Sequence, residues 1–386
     1  MVTRTRWLQK IESLWRARPV VWLSGVRRIG KTSLCQSLKQ VEYFDCELPR
    51  VRRAMEDTES FLTSMKGRRL VLDEIHRLPN PAELLKIAAD HFPDIRILAT
   101  GASTLGASAK FRDTLTGRKR DLWLTPVLAN EMADFGSENL DRRMLHGGLP
   151  GFLLADAPDE TDFQEWIDSF WAKDVQELFH IERKSAFQRL IELTLIESGG
   201  IWDASRLASA CEISRPTVSS YLSVLEQTYV AHIVRPYSRH RSSEIIASPR
   251  VYGFDTGFVC CYRGWNTLRN EDRGLLLEHL VLNELHAGVA RPGIHFWRNK
   301  RGLEVDFVVT QPGDKAIAIE CKWQADKFVS NGLLAFRRQY PNGSSYVVAS
   351  DVDRPYLRSF DGVQTQFLGL KDLAQYIARD TANAKT

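Results

Sequence analysis

The 386-residue chain is 44% apolar and 26% charged, values that suit two or three packed globular units and exclude a small disulfide-stapled scaffold or a long disordered chain. Lys plus Arg outnumber Asp plus Glu by only four, 52 against 48, so any surface for nucleic acid or anionic lipid must be local. Six cysteines without a CxxC pair argue for a reducing cytoplasm over a zinc ribbon, and the lack of any apolar run near 18 residues argues against a membrane span.

Trp7, Ile11, Leu14 and Trp15 recur at helical spacing, and Pro19 ends that helix before the apolar run Val20 to Leu23, which predicts a helix and then a buried strand. The strand leads into Gly25-Val26-Arg27-Arg28-Ile29-Gly30-Lys31-Thr32, and Ser33 to Leu38 reads as helix. This is a GxxxxGKT loop in the strand and helix context that it needs. Gly25 and Gly30 let the backbone curl so that amides from Gly25 to Ser33 face one anion, and the helix adds its positive end. Lys31 is expected at the terminal phosphates of ATP, and Thr32 is expected to give one oxygen to Mg2+.

Tyr43 to Cys46 predicts a second strand, and Arg69 to Glu74 predicts an apolar strand ending in two carboxylates. Asp73 is the expected Mg2+ partner, through water. Glu74 is expected to polarise the water that attacks the terminal phosphate, so the reading favours ATP hydrolysis over binding alone. Ile95 to Ala99 is a further strand, ending in Thr100-Gly101-Ala102-Ser103. If it lies between the other two, it sets a hydroxyl beside the attacking water, with Ser103 as candidate, Thr100 as alternative and a plain turn as the third reading. Arg118, before the strand Asp121 to Leu124, is the candidate cation for the transition state, from its own or a neighbouring subunit. A solvated basic turn is the competing reading, and Arg27 and Arg28 are further candidates.

Together GVRRIGKT, VLDEIH, ILATGAS and LTGRKR resemble the core of prokaryotic AAA-type ATPases, and the chain is similar to the family that joins such a core to a carboxy-terminal domain of unknown function. The resemblance implies an α/β fold, with a parallel sheet that has the phosphate-loop strand at its centre, followed by a helical and winged-helix-like middle. His146-Gly147-Gly148-Leu149-Pro150-Gly151 is similar to the element that contacts adenine in signalling ATPases of the STAND class, which implies Pro150 at the base.

In the middle of the chain, Phe163, Trp166, Ile167, Phe170 and Trp171 share a helix face and read as core. Ala204 to Ala210 and Pro216 to Leu225 predict two helices across a short turn, the second resembling a DNA recognition helix with Arg215, Thr217, Ser219 and Ser220. Arg235, Arg239, His240, Arg241 and Arg250 form a basic cluster where a wing would lie. A packing or protein-docking unit would look the same.

Leu275 to Leu285 reads as a helix apolar almost all round, with Glu278 on it, and two alternating strands follow, Glu304 to Val309 and Ala316 to Trp323. Glu320 and Lys322, two apart, point to one face, which Asp306 can reach across the turn. Two carboxylates can hold a divalent metal, and the lysine can act on a water beside a phosphodiester. Asp306, Glu320 and Lys322 meet the D...ExK pattern of the restriction-endonuclease-like fold, with Glu278 matching its helix glutamate; this resemblance implies Mg2+ or Mn2+ at Glu278, Asp306 and Glu320. An exposed ladder of opposite charges is the bland alternative.

The expected organisation is a P-loop AAA-type domain over 1–135, a helical lid and winged-helix-like region over 136–240, and a restriction-endonuclease-like α/β domain over 241–386. The expected partners are ATP with Mg2+, nucleic acid, a protein partner and further copies of the chain. A signalling switch whose last domain binds without cutting is the rival reading.

Overall fold

The computed structural model describes residues 2–101, 109–179, 181, 183–238, 248–289 and 293–383. Strands β1 (Val20–Ser24), β2 (Glu42–Asp45), β3 (Arg69–Asp73), β4 (Arg96–Thr100) and β5 (Lys119–Trp123) form one parallel sheet in the order β2-β3-β4-β1-β5. The middle strand is β4, so the expectation that the phosphate-loop strand is central is corrected: β1 lies between β4 and β5. β4 separates β1 from β3, which meets the condition for a hydroxyl at its end to lie beside the site.

β1 is buried throughout, and β3 and β4 are buried past their first residues, because a parallel sheet is covered on both faces. Their alternation divides the core in two. Val21, Leu23, Val71 and Leu98 face one cluster, whereas Val20, Trp22, Leu70, Leu72, Ile97 and Ala99 face the other. The first cluster continues through the middle helices into the carboxy-terminal sheet, so the three regions share one core.

The predicted first helix is Thr5–Ala17, with Trp7, Ile11 and Trp15 buried. It is held at its start by Arg4, whose guanidinium donates to both Glu131 oxygens at 2.9 and 2.6 Å and to the Thr125 carbonyl at 3.1 Å. Arg4 and Glu131 are 4% and 3% exposed. Removing one member of such a pair strands a buried charge, so Glu131→Ala is expected to destabilise the chain by about 3–5 kcal/mol, read as a shift of the denaturant midpoint. A shift below about 1 kcal/mol would mean that water reaches Arg4.

The two expected helices of the middle region are Ala204–Cys211 and Arg215–Gln227, the second capped by Ser214, which accepts from the Thr217 amide at 3.2 Å. Strands β6 (Ala231–Pro236), β7 (Arg250–Gly253), β8 (Ile294–Arg298), β9 (Glu304–Thr310), β10 (Ala316–Lys322), β11 (Ser345–Ala349), β12 (Tyr356–Phe360) and β13 (Val363–Leu368) form a mixed sheet ordered β12-β13-β11-β10-β9-β8-β6-β7. β6 and β7 flank the expected 240/241 division, and both join this second sheet. The apolar helix runs over Asn270–Gly288, and its Glu284 accepts from the Ala129 amide at 3.0 Å, tying it to the first domain. No described helix is long and apolar enough to cross a membrane.

Candidate functional sites

A cleft of about 460 Å³ opens at the carboxyl ends of the parallel strands, lined in part by Arg27, Arg28, Gly30, Lys31, Thr32, Ser33 and Glu74. The loop after β1 curls as its glycines predict. Gly25 has φ +150°, and a Cβ there would stand 2.7 Å from the Leu124 carbonyl oxygen, so no larger residue fits. Lys31, the first residue of the helix Lys31–Gln36, donates from Nζ to the Gly25 and Val26 carbonyls at 2.9 and 3.1 Å. Burial lowers its pKa, with the charges of Glu74 and Asp174 acting the other way. An anion in the cleft would favour the ammonium form.

Asp73 ends β3, buried and with both oxygens engaged. Tyr43 on β2 donates its hydroxyl to Oδ2 at 2.6 Å, and Thr100 at the end of β4 donates to Oδ1. The Thr100 oxygen in turn accepts from the Glu74 amide at 3.1 Å. Glu74 is held at φ +53°, a left-handed conformation that costs a non-glycine residue roughly 1–3 kcal/mol and recurs where a side chain must be aimed. Its carboxylate meets His76 Nδ1 at 3.1 Å. Burial pushes Glu74 up, but the His76 hydrogen bond and the Lys31 and Arg27 charges outweigh it and leave the pKa below the ordinary glutamate value. Glu74 is therefore ionised at neutral pH and can accept from a water. Thr32 lines the cleft, and Asp73 is buried within electrostatic reach of Lys31.

Thr100, the alternative among the hydroxyls, is the one in contact with Asp73; Ser103 lies outside the described residues. Arg118 precedes β5, at the end of the sheet opposite the phosphate loop, since Lys119 pairs with Val20 at the start of β1. There it donates to both Asp90 oxygens at 2.6 and 2.9 Å, so the structure does not bring it to the cleft of its own chain. Of the loop arginines, Arg27 is braced by Asp174 at 2.9 Å and Arg28 is exposed in the cleft.

Sequence reasoning missed several lining residues. Lys173 and Asp174 reach the cleft from a single turn of π-helix, Trp171–Val175, which continues the aromatic helix Glu160–Phe170. Such a bulge turns polar residues out of an otherwise apolar run. Pro150, which the sequence did place at the nucleotide, lines the cleft with Gly151, and a Cβ on Gly30 would stand 3.6 Å from Pro150 Cγ.

A second polar cluster lies in the carboxy-terminal sheet. Lys322 on β10 donates to Glu320 at 2.8 Å and to Asp306 on β9 at 3.5 Å, and the Cys321 amide donates to Asp306 at 2.8 Å. Tyr252 on β7 donates to Glu278 at 2.8 Å, and Arg250 donates to Glu304 at 2.6 Å and stands 4.0 Å from Asp306. The structure thus brings Glu278, Asp306, Glu320 and Lys322 together, as the D...ExK reading requires. It also moves Arg250 from the expected basic wing into this cluster; Arg239, His240 and Arg241 lie outside the described residues.

A divalent metal at this cluster would have to displace Lys322 from the carboxylates. Lys322 occupies the position between Asp306 and Glu320, and among the described residues no three His, Cys, Asp or Glu side chains are arranged to hold a metal ion. Burial first, and then the Asp306 charge, push both Glu278 and Glu320 up to about 8. Both groups keep a proton in the fold that they lose on unfolding above their ordinary values, so they erode stability as pH rises from about 4.5 to about 8. Glu278→Gln is expected to raise the melting temperature at pH 8 by a few degrees and to leave it little changed at pH 5, by thermal denaturation at both values. Equal effects at the two pH values would contradict the protonated state.

Residues 17–133 match the family model described as an AAA domain. The chain carries an AAA-type ATPase-like domain. Beyond the AAA-type domain, residues 137–269 and 273–363 match two models described as domains of unknown function, DUF8612 and DUF4143. Uncharacterized protein Rv2008c of Mycobacterium tuberculosis and Uncharacterized protein Mb2031c of Mycobacterium bovis are each 26% identical over 305 residues, which cover 76% of this chain and 68% of theirs. Among solved structures, the chain is similar to a Walker-type ATPase of Pyrococcus abyssi, with 16% identity and TM-score 0.45 over 68% of this chain and 96% of that one. It is also similar to a signal transduction ATPase with numerous domains (STAND) and a tetratricopeptide repeat sensor from Pyrococcus horikoshii, with 13% identity and TM-score 0.29 over 75% and 46%.

Proposed function

We propose that the AAA-type domain binds and hydrolyses ATP with Mg2+, and that this cycle controls a carboxy-terminal domain acting on nucleic acid. The observation that carries the reading is the meeting of Lys31 and ionised Glu74 on one cleft, with Asp73, bonded to Thr100, within electrostatic reach of Lys31. Backbone amides and Lys31 bind the phosphates. Thr32 and Asp73 would hold the magnesium ion, which supplies charge neutralisation on the phosphate oxygens. Glu74 orients and polarises the attacking water, and Thr100 keeps Asp73 and the Glu74 backbone in register. Release of inorganic phosphate from Mg-ATP by the full chain tests this; no release above background, in the presence or absence of nucleic acid, sinks it.

The finer reading of the last domain is phosphodiester cleavage at Asp306, Glu320 and Lys322. Its support is their convergence on one strand pair, with the exposed basic residues Arg298, Lys300 and Arg301 beside it. Degradation of single-stranded, duplex and branched substrates with Mg2+ or Mn2+, lost in Lys322→Ala while ATPase activity persists, is the expected result. If no form is cut, the domain binds without cleaving, and the chain reads as a nucleotide switch for a nucleic-acid or protein partner. The exposed Arg215, Ser219 and Ser220 of the second middle helix are its candidate duplex contacts. Arg118 would meet a terminal phosphate only from a neighbouring copy of the chain.

A further inference from the structure

The two sites described above are joined by one short segment, Arg250 to Asp255, at whose ends lie side chains that belong to different sites. At one end, Arg250 and Tyr252 are two apart on β7 and so share a face, the face that meets Glu304, Asp306 and Glu278. At the other end, Asp255 is 1% exposed and spends both oxygens on backbone amides: Oδ2 accepts from Gly148 at 2.6 Å and Oδ1 from Gly257 at 2.9 Å. Gly148 belongs to the turn that carries Pro150 and Gly151 into the nucleotide cleft.

The seating of that turn is tight. A Cβ on Gly147 would come within 1.9 Å of Asp255 Oδ1, and one on Gly148 within 2.2 Å of Arg143 Nη2. Arg143 is itself buried and donates to the Val127 carbonyl at 2.8 Å and to Thr256 Oγ1 at 3.1 Å. The segment between the two ends has little freedom. Gly199 donates to the Val251 carbonyl at 2.8 Å, the Gly253 amide donates to Ser198 at 2.6 Å, and β7 pairs with β6 along its length. Six residues of extended chain span at most about 20 Å, so the nucleotide turn and the carboxylate cluster are linked by one short, fully bonded rod.

We propose that Asp255 is a positioning residue of the nucleotide site, and that the rod Arg250 to Asp255 couples nucleotide binding to the carboxylate cluster. The proposal rests on the nucleotide reading of the cleft. A ligand that presses on Pro150 and Gly151 moves the Gly148 amide. Asp255 cannot follow by turning, because both its oxygens are held, so the strain passes along β7 to Tyr252 and Arg250. Linkage makes the effect reciprocal: altering the far end changes nucleotide affinity by the same factor by which nucleotide alters the far end.

The test is hydrogen exchange on the full chain with and without Mg-ADP, followed by ADP titration of variants. In the wild type, nucleotide is expected to slow exchange both in 24–33 and in 248–258. In Asp255→Asn, which leaves one acceptor oxygen for the two amides of Gly148 and Gly257 and sets an NH2 donor against the other, 24–33 is still protected but 248–258 is not, and ADP binds about tenfold more weakly. Tyr252→Phe, which removes only the hydroxyl that reaches Glu278, is expected to shift ADP affinity about threefold or more, whereas Arg354→Ala, at an exposed position outside both sites, leaves it unchanged. Protection of 24–33 alone in the wild type, or unchanged affinity in Tyr252→Phe, overturns the coupling and leaves nucleotide binding standing. No protection of 24–33 overturns both. The wild-type exchange and the Tyr252 variant decide the matter even if Asp255→Asn does not fold.

Discussion

Lys31→Ala is expected to reduce ATP turnover to background, a loss on the order of 10²–10³-fold or more, because it removes the one ammonium that the loop presents to the terminal phosphates. Lys31 is already poised there, its Nζ on the Gly25 and Val26 carbonyls at the mouth of the anion-binding turn. Those carbonyls are poor partners compared with a phosphate, and burial lowers the lysine's pKa, so both the ligand and the protein gain when the two charges meet. The variant should remain folded, since the strands and the helix packing do not depend on Nζ. Steady-state phosphate release with circular dichroism as a folding control checks this. Turnover within threefold of wild type would place the phosphates elsewhere.

Glu74→Gln separates binding from chemistry. The amide keeps the size and the left-handed backbone, but it cannot take a proton or hold the attacking water as an anion does. ATP should bind with near-native affinity while turnover falls about 10²-fold or more. The ionised state that the His76 contact and the Lys31 and Arg27 charges maintain is the reason for the size of the effect. A fall in affinity equal to the fall in turnover would instead make Glu74 a binding residue.

Local pattern revealed the parts of the fold in which chemistry and secondary structure sit on neighbouring residues. Val20 to Thr32 is a strand, a turn and a helix in one run, and Arg69 to Glu74 is a strand with its acids attached. Glu320 and Lys322 share a face because strands repeat every two residues. What pattern could not supply is who meets whom across the chain. Tyr43 reaches Asp73 only because β2 and β3 are neighbours. Asp174 reaches Arg27 across 147 positions. Arg250 looked like part of a basic wing, yet its strand joins the carboxy-terminal sheet, where Glu304 and Asp306 neutralise it. Arg118 carries its own clue in the sequence. It comes before its strand, and in a parallel sheet the residues before the strands lie at the end away from the phosphate loop.

The carboxy-terminal cluster carries a similar lesson about charge. The spacing of Asp306, Glu320 and Lys322 brings the three together, but it does not say that the lysine itself would fill the position between the carboxylates. Glu278 and Glu320 respond by holding protons that exposed glutamates would lose.

The most direct measurement is a calorimetric titration of the full chain with Mg-ATPγS, a slowly hydrolysed nucleotide, beside the same titration of Lys31→Ala. The account predicts one saturable site per chain in the wild type and at least tenfold weaker binding in the variant. Equal heats in the two proteins, or none in the wild type, would contradict it.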